Sequence, residues 1–196
     1  MKIWILDTET TGLPYQPGYG RYYPYSKLKF YDSSRLVQLG ILEFELVEGK
    51  YVQTDVYDYI HKGDFKINNS EFHGISNEIM VNNGLPINEI ISKIEKKFNS
   101  VSLIVAHNIK FDISIIASEL YRAGLTTQLK DFLKIPTFCT SIGTRSIVKI
   151  KSKNYRGGYK QPKLIELYEW LFNKKPEEED DMHNAITDCK VLEKCF

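Results

Sequence analysis

Cysteine is scarce in this chain: Cys139, Cys189 and Cys195 are all it has. An odd number with no CxxC pair argues against both a disulfide framework and a thiolate zinc site. Free thiols of this kind fit a reducing, intracellular compartment, cytoplasmic or nucleoid/nuclear. Long hydrophobic runs are missing too. No apolar stretch approaches the ~18–20 residues needed to cross a bilayer, so no membrane is expected as a partner. The run Ile3-Trp4-Ile5-Leu6 stops at Asp7, too short for a signal-peptide core and without a small-residue cleavage site. No internal repeat and no linker divides the chain, so residues 1–196 are expected to form one domain around a sizeable core.

Net charge is nearly absent, at +1, and names no partner by itself. The distribution is more informative. From Ser141 to Lys163 there are seven basic residues and no acidic one, and the acidic run Glu177 to Asp181 follows. Basic groups for phosphates beside carboxylates for metals are what a nucleic-acid enzyme needs; the pattern permits this without requiring it.

Periodicity supplies the elements. Ile3–Leu6 reads as a strand buried on both faces. Leu36–Leu46 and Tyr51–Ile60 alternate as strands, with Glu48-Gly49-Lys50 as the hairpin turn between them. Pro86 stands where a first helical residue would, before Ile87, Ile90, Ile91, Ile94 and Phe98 at helical spacing. Val101–Ala106 reads as a further strand. Ile109, Ile113, Ile116 and Leu120 share a helix face that Gly124 closes. Thr137–Thr140 reads as a short fifth strand, Leu164–Phe172 as a helix, and a last helix is expected from about Met182 to Lys194. A three-strand meander followed by alternating helix and strand implies an α/β fold, a mixed sheet with helices packed on it.

Three acidic clusters stand at the ends of these elements. In Asp7-Thr8-Glu9-Thr10-Thr11-Gly12, strand alternation projects Asp7 and Glu9 to one side, about 6–7 Å apart along the chain. Two carboxylates held together repel unless a cation lies between them, and hard divalent ions favour such oxygen ligands. A strand ending in a polar turn explains this cluster equally well. In Ala106-His107-Asn108-Ile109-Lys110-Phe111-Asp112 a strand gives way to a helix, with Asp112 in the first turn, where acidic residues are also common for capping reasons. In His183-Asn184-Ala185-Ile186-Thr187-Asp188, a spacing of five keeps His183 and Asp188 off one helix face. His183 is therefore expected in or before the first turn, with Ala185 and Asp188 on a shared face that approaches the sheet closely. A surface His and a surface Asp are the ordinary alternative.

Taken together, LDTETTG, AHNIKFD and HNAITD, in that order, resemble the three motifs of the DEDD exonucleases. The spacing H-x-A-x-x-D resembles the histidine (DEDDh) subclass; the tyrosine subclass would carry Tyr where Asn184 stands. The resemblance extends to the proofreading epsilon subunit of bacterial DNA polymerase III and its stand-alone relatives. Arg35-Leu36-Val37-Gln38-Leu39-Gly40 and His73-Gly74-Ile75-Ser76 are weaker matches. The resemblance implies an RNase H-like fold with a five-stranded mixed sheet. It implies 3′→5′ removal of nucleoside monophosphates from single-stranded or frayed DNA, with two divalent cations, Mg2+ or Mn2+, held by Asp7, Glu9, Asp112 and Asp188. His183 would be the general base, since an ordinary imidazole titrates near neutral pH. Thr10, Thr11, Leu13, His107, Asn108 and Phe111 match the pocket for the terminal nucleotide. Thr10 would meet the 3′-hydroxyl, and Leu13 and Phe111 would pack on the terminal bases unless they are core residues. His73 fits a pocket role or a structural role in its turn equally.

The chain departs from this pattern between Gly12 and Arg35, where many relatives are shorter. An insertion at about 14–34 holds Tyr15, Tyr19, Tyr22, Tyr23, Tyr25 and Tyr31 with Arg21, Lys27 and Lys29 and no acid before Asp32. It reads as a stacking platform for bases or as a loop whose tyrosines pack on the domain or a partner. Lys149, Lys151, Lys153, Arg156 and Lys160 read as a guide for the phosphate backbone, made mobile by Gly157-Gly158, or as a solvated loop. Other readings of the whole are an RNA-processing exoribonuclease of the same fold, separated from DNA only by tolerance of the 2′-hydroxyl, and a non-catalytic or polymerase-associated module. With eight residues after Asp188, no long partner-binding tail is expected, so a polymerase would dock elsewhere; a homodimer is a further possibility implied by relatives.

Overall fold

In the computed structural model, which describes residues 1–18, 20–152, 158–177 and 182–196, the first strand outruns its apolar core. Strand β1 spans Lys2–Thr10, because the β-branched Thr8 and Thr10 suit a pleated backbone as well as the isoleucines do. Strands β2 (Leu36–Val47) and β3 (Lys50–Ile60) form the expected hairpin. Its turn places Glu48 at φ 50 and Gly49 at φ 79, both left-handed as a two-residue type I′ connection requires. Strands β4 (Val101–Ala106) and β5 (Thr137–Cys139) complete a sheet of order β3-β2-β1-β4-β5. The first three strands pair antiparallel, and β4 runs parallel to β1 and β5 to β4.

The helices are α1 (Ser70–His73), α2 (Asn77–Asn83), α3 (Ile87–Ile94), α4 (Ile109–Arg122), α5 (Thr126–Phe132), α6 (Thr140–Gly143), α7 (Arg145–Val148), α8 (Leu164–Phe172) and α9 (Ala185–Cys195). Strands β2 and β3 each run one residue further toward the turn than expected, and other boundaries differ from the sequence reading with a local cause. Pro86 is the cap rather than the first residue of α3. Thr140 opens α6 instead of ending β5. Helix α9 begins at Ala185, not near Met182, because His183 is left-handed at φ 73 and Asn184 caps the helix. Helices α1, α2, α5, α6 and α7 had no counterpart in the sequence reading. Each has four to seven residues, too few turns to leave a hydrophobic period. No helix among the described residues is long and apolar enough to cross a membrane.

Alternation along β1 sorts the core into two layers. Trp4 and Leu6 face α3 and α4, packing with Ile90, Ile91, Ile94, Ile115, Ile116 and Leu120. Ile3 and Ile5 face the other way, with Leu42 and Phe44 of β2 and Ile186, Cys189 and Leu192 of α9. The same parity carries Asp7 and Glu9 toward α9, and Thr8 and Thr10 toward α4.

Most of the described tyrosines between Gly12 and Arg35 serve this architecture. Tyr31 is buried in the larger core layer, and its hydroxyl donates to Tyr23 O. Tyr15, Phe30 and Tyr23 stack on one another, Tyr25 meets Tyr121 of α4 edge-on, and Arg122 pairs with Asp32 at 2.8 Å. The expectation for Tyr19 lies outside the described residues.

One contact sets how close α9 comes to the sheet. A Cβ on Gly40, in the middle of β2, would lie 2.7 Å from the backbone carbon of Ala185, so only glycine admits the helix there. Gly40→Ala is therefore expected to overpack the interface and destabilise the protein by about 1–3 kcal/mol, read as a lower urea midpoint; an unchanged midpoint would show the contact to be slack.

Candidate active site

The end of β1 brings the predicted acids together from three elements. Asp7 and Glu9 project from the α9 face. Asp112, in the first turn of α4, arrives over the opposite edge and is buried. Its Oδ1 accepts from Thr8 Oγ1 at 2.8 Å, so the residue between the two strand acids anchors the third. Helix α4 reaches this position because Asn108, at φ 73 and ψ 42, turns the chain sharply out of β4, a conformation asparagine tolerates better than most residues.

Asp188 lies in the first turn of α9, and two residues of β2 hold that turn. Gly40, the register partner of Asp7, admits Ala185, while Gln38, the partner of Glu9, accepts from Ala185 N at 3.1 Å through Oε1. Gln38 Nε2 in turn donates to Asp58 Oδ1 at 2.7 Å. Asn184 Oδ1 accepts from the backbone N–H groups of Ile186 and Thr187 at 3.1 and 3.4 Å, completing the cap. Cys189 lies buried against the sheet, its thiol 3.5 Å from Ile5 O and Gly40 O. His183 is exposed on the left-handed turn before the cap. Ligand atoms of Glu9, His183 and Asp188 all lie within 4.8 Å of one another.

The electrostatics of this cluster, with Asp112 buried and Asp7, Glu9 and Asp188 half-buried, differ from those of the buried Glu43 and Glu119. Glu43 would be raised by burial, but hydrogen bonds from Trp4, Lys97 and Lys2 outweigh that and hold its pKa down. Glu119 is gripped by Arg35, Nε to Oε1 at 2.6 Å and Nη2 to Oε2 at 2.9 Å. No lysine or arginine among the described residues pairs with Asp7, Glu9, Asp112 or Asp188. Burial, then the charges of Asp188, Asp112 and Glu9, push Asp7 well above the usual carboxylate range. Burial, then Asp188 and Asp112, raise Glu9 to about 8. Burial raises Asp112 to about 7 against the hydrogen bond from Thr8, and raises Asp188 to about 6 against the pull of His183. Asp188 Oδ1 is buried with no hydrogen-bond partner. An all-oxygen cluster crowded in this way, with an unpartnered buried carboxylate oxygen and an imidazole at its rim, fits hard divalent cations.

The residues expected to form the nucleotide pocket fall into two groups. Leu13 is 74% exposed, which removes the core-packing alternative for it. Phe111 is half-buried against the larger core layer and lies 6.2 Å from the Tyr22 ring; Asn108 is exposed, its Nδ2 3.5 Å from Tyr22 Oη. Thr10 donates its hydroxyl to Gly12 O at 2.7 Å. Thr11 and His107 are tied into the scaffold. Thr11 Oγ1 donates to Ser33 O at 3.2 Å and accepts from Arg35 N at 2.9 Å. His107 Nε2 donates to Pro162 O at 2.9 Å and Nδ1 meets Thr140 Oγ1 at 3.0 Å, using both ring nitrogens. His73 is buried, accepts from Ile75 N through Nδ1 at 3.2 Å, and shares a cleft of about 490 Å³ with His183.

In the basic stretch, Lys160 is paired with Glu166, while Lys149 and Lys151 are exposed. Lys153, Arg156 and Gly157 lie outside the described residues, as do residues 178–181 of the acidic run. Three residues that build the site were missed as site residues by sequence reasoning. Thr8 has no sequence signal beyond its place between Asp7 and Glu9. Gly40 was detectable as a glycine inside a strand, a mark of close backbone approach, and Gln38 as a polar residue on the buried face two positions before it.

Comparison with known proteins bears on the family and the fold. The exonuclease family RNase_T matches residues 4–196. The chain is 27% identical over 194 residues, 98% of its own length and 70% of the relative's, to DNA polymerase III subunit epsilon of Buchnera aphidicola from Acyrthosiphon pisum. It is 31% identical over 119 residues to the subunit epsilon of Rickettsia prowazekii, covering 59% of this chain and 43% of that protein. Its fold superposes on the zinc-bound E. coli exonuclease I–single-stranded DNA complex with a TM-score of 0.65 at 14% identity, over 99% of this chain. The chain spans 39% of that enzyme. The five-stranded sheet with its flanking helices is thus the RNase H-like exonuclease fold. Matched almost end to end by the family model, the chain belongs to the RNase_T exonuclease family and is of the DEDDh 3′→5′ type.

Proposed function

We propose that this protein hydrolyses the terminal phosphodiester at the 3′ end of single-stranded or frayed DNA and releases nucleoside monophosphates. The observation that carries the reading is the meeting of four cation-poor carboxylates, Asp112 buried and Asp7, Glu9 and Asp188 half-buried, with one exposed imidazole at the end of β1. DNA is favoured over RNA because the similar proteins are DNA polymerase subunits and an exonuclease bound to single-stranded DNA.

Asp7, Glu9 and Asp188 would hold one divalent cation, Mg2+ or Mn2+, and Asp7 and Asp112 a second. When bound, such a pair neutralises the phosphate, activates the attacking water and stabilises the leaving 3′ oxygen. The protein supplies the rest. Thr8 keeps the Asp112 carboxylate aimed at the strand acids. His183, free of helical constraint, takes the proton from the attacking water. Thr10, whose own proton is committed to Gly12 O, has lone pairs left to accept from the 3′-hydroxyl. Leu13 and Phe111 pack on the terminal bases, with Asn108 at the rim of the pocket. Thr11 and His107 shape that pocket from behind, through the contacts that tie them to Arg35 and Pro162.

Three outcomes are expected. A 5′-labelled DNA strand incubated with Mg2+ or Mn2+ shortens as a ladder from its 3′ end, with RNA degraded more slowly. Chelation or Asp7→Ala lowers the rate at least ~100-fold, since metal charge stabilisation amounts to several kcal/mol; cleavage that survives both would end the proposal. His183→Ala lowers kcat by roughly 10²–10⁴-fold while leaving the cation-induced rise in Tm nearly intact. Equal losses in turnover and in cation affinity would make His183 a ligand instead.

A further expectation concerns pH. The four carboxylates titrate higher when folded than in the unfolded chain, so their ionisation costs stability. In cation-free protein, that contribution is intact below about pH 4 and is lost as pH rises through the folded values of about 6, about 7 and about 8. Divalent cations bind the ionised forms, so saturating Mg2+ or Mn2+ should raise Tm more at pH 8 than at pH 5. A cation effect independent of pH, followed by differential scanning calorimetry, would contradict the assignment.

A further inference from the structure

The tyrosine-rich insertion, the outer face of α4 and the α5–β5 connection together wall a groove of about 900 Å³, at the large end of ligand-sized cavities. Its lining includes Arg21, Lys110 and Lys134 and no acidic residue. Lys134 is paired with Asp131. Arg21 and Lys110 are exposed and have no ion-pair partner among the described residues. Tyr22, Tyr23 and Tyr25 supply aromatic walls, and the insertion is anchored by the buried Tyr31, the Tyr25–Tyr121 contact and the Arg122–Asp32 pair. The groove adjoins the pocket for the terminal nucleotide: Lys110 lies between Asn108 and Phe111 in the chain, and the Tyr22 ring sits beside Phe111.

We propose that this groove is a second nucleic-acid subsite, which takes nucleotides of the substrate strand upstream of its 3′ end, with Arg21 and Lys110 on phosphates and Tyr22 against a base. The inference rests on the exonuclease reading above. Unpaired cations beside aromatic rings, without acids, form the chemistry that tracks a single strand independently of sequence. They also place positive charge next to a catalytic cluster whose own carboxylates repel phosphate. Two phosphate contacts from the insertion and α4 would give the strand a hold that the terminal pocket alone lacks.

The test compares kcat/KM for a deoxydinucleotide and a deoxyhexanucleotide with Mg2+, in the unaltered protein, in Arg21→Ala/Lys110→Ala and in Arg21→Lys/Lys110→Arg. The unaltered protein should prefer the hexanucleotide. That preference should fall at least about fivefold in the alanine variant and persist in the charge-conserving one. Fluorescence titration of the hexanucleotide against salt should give a log–log slope shallower by about 1.4 in the alanine variant, two single-strand phosphate contacts' worth. An unchanged length preference, or a loss shared equally by both substrates, overturns the subsite. A gain that appears only when a complementary strand is annealed also overturns it, assigning the groove to that strand. If the unaltered protein cleaves nothing, the exonuclease reading fails, and the metal-free salt titration still decides whether the groove binds the strand.

Discussion

The contact between Gly40 and Ala185 governs the geometry of the site. Without a side chain on Gly40, the first turn of α9 rests directly on β2 at the register position of Asp7. Gln38, two residues away on the same face, caps that turn through its amide oxygen. Asp188 therefore reaches the β1 carboxylates as a consequence of backbone proximity, and any side chain at position 40 would move it. The small Ala185 and Cys189 extend the same close approach along the helix, so the placement of one carboxylate is distributed over a packed seam rather than left to a loop.

That seam holds together groups that repel. The protein contains two kinds of carboxylate buried wholly or in part, and their partners separate them. Glu43 and Glu119 are surrounded by lysine and arginine side chains and tie strands and helices into the core. The four at the end of β1 have one another, a threonine hydroxyl and a nearby histidine. Burial raises all of them and neighbouring carboxylates raise Asp7, Glu9 and Asp112 further, a cost the fold bears because its two core layers, on opposite faces of β1, fix the flanking elements independently. A cluster arranged this way is prepared for cations, and the ions would relieve the strain that the packing imposes.

The segment between Gly12 and Arg35 shows a division of labour within one aromatic-rich stretch. Tyr31 is a core residue, Tyr15 and Tyr23 stack with Phe30, and Tyr25 leans on α4, so these rings build a wall rather than a surface for bases. Tyr22 reaches polar and aromatic side chains of the second motif, Asn108 and Phe111. The same segment thus rigidifies the entrance to the site and presents a limited aromatic and basic face to it.

Local pattern was enough to define the strands, the long helices and the identity of the acidic residues, because periodicity and the order of short motifs are written residue by residue. Asp7 and Glu9 share a face through strand alternation, and Asp112 falls in a first turn through the switch from strand to helix. The short helices were not legible, since four to seven residues cannot establish a period, and the late start of α9 was decided by the left-handed backbone of His183. Only the tertiary structure decided that Thr8 anchors Asp112, that Gln38 and Gly40 set the position of Asp188, and that His107 and Thr11 are consumed by scaffold contacts. Those facts depend on pairings between residues 24 to 147 positions apart, and which groups meet across such distances is settled by packing and register, not by any local run of sequence.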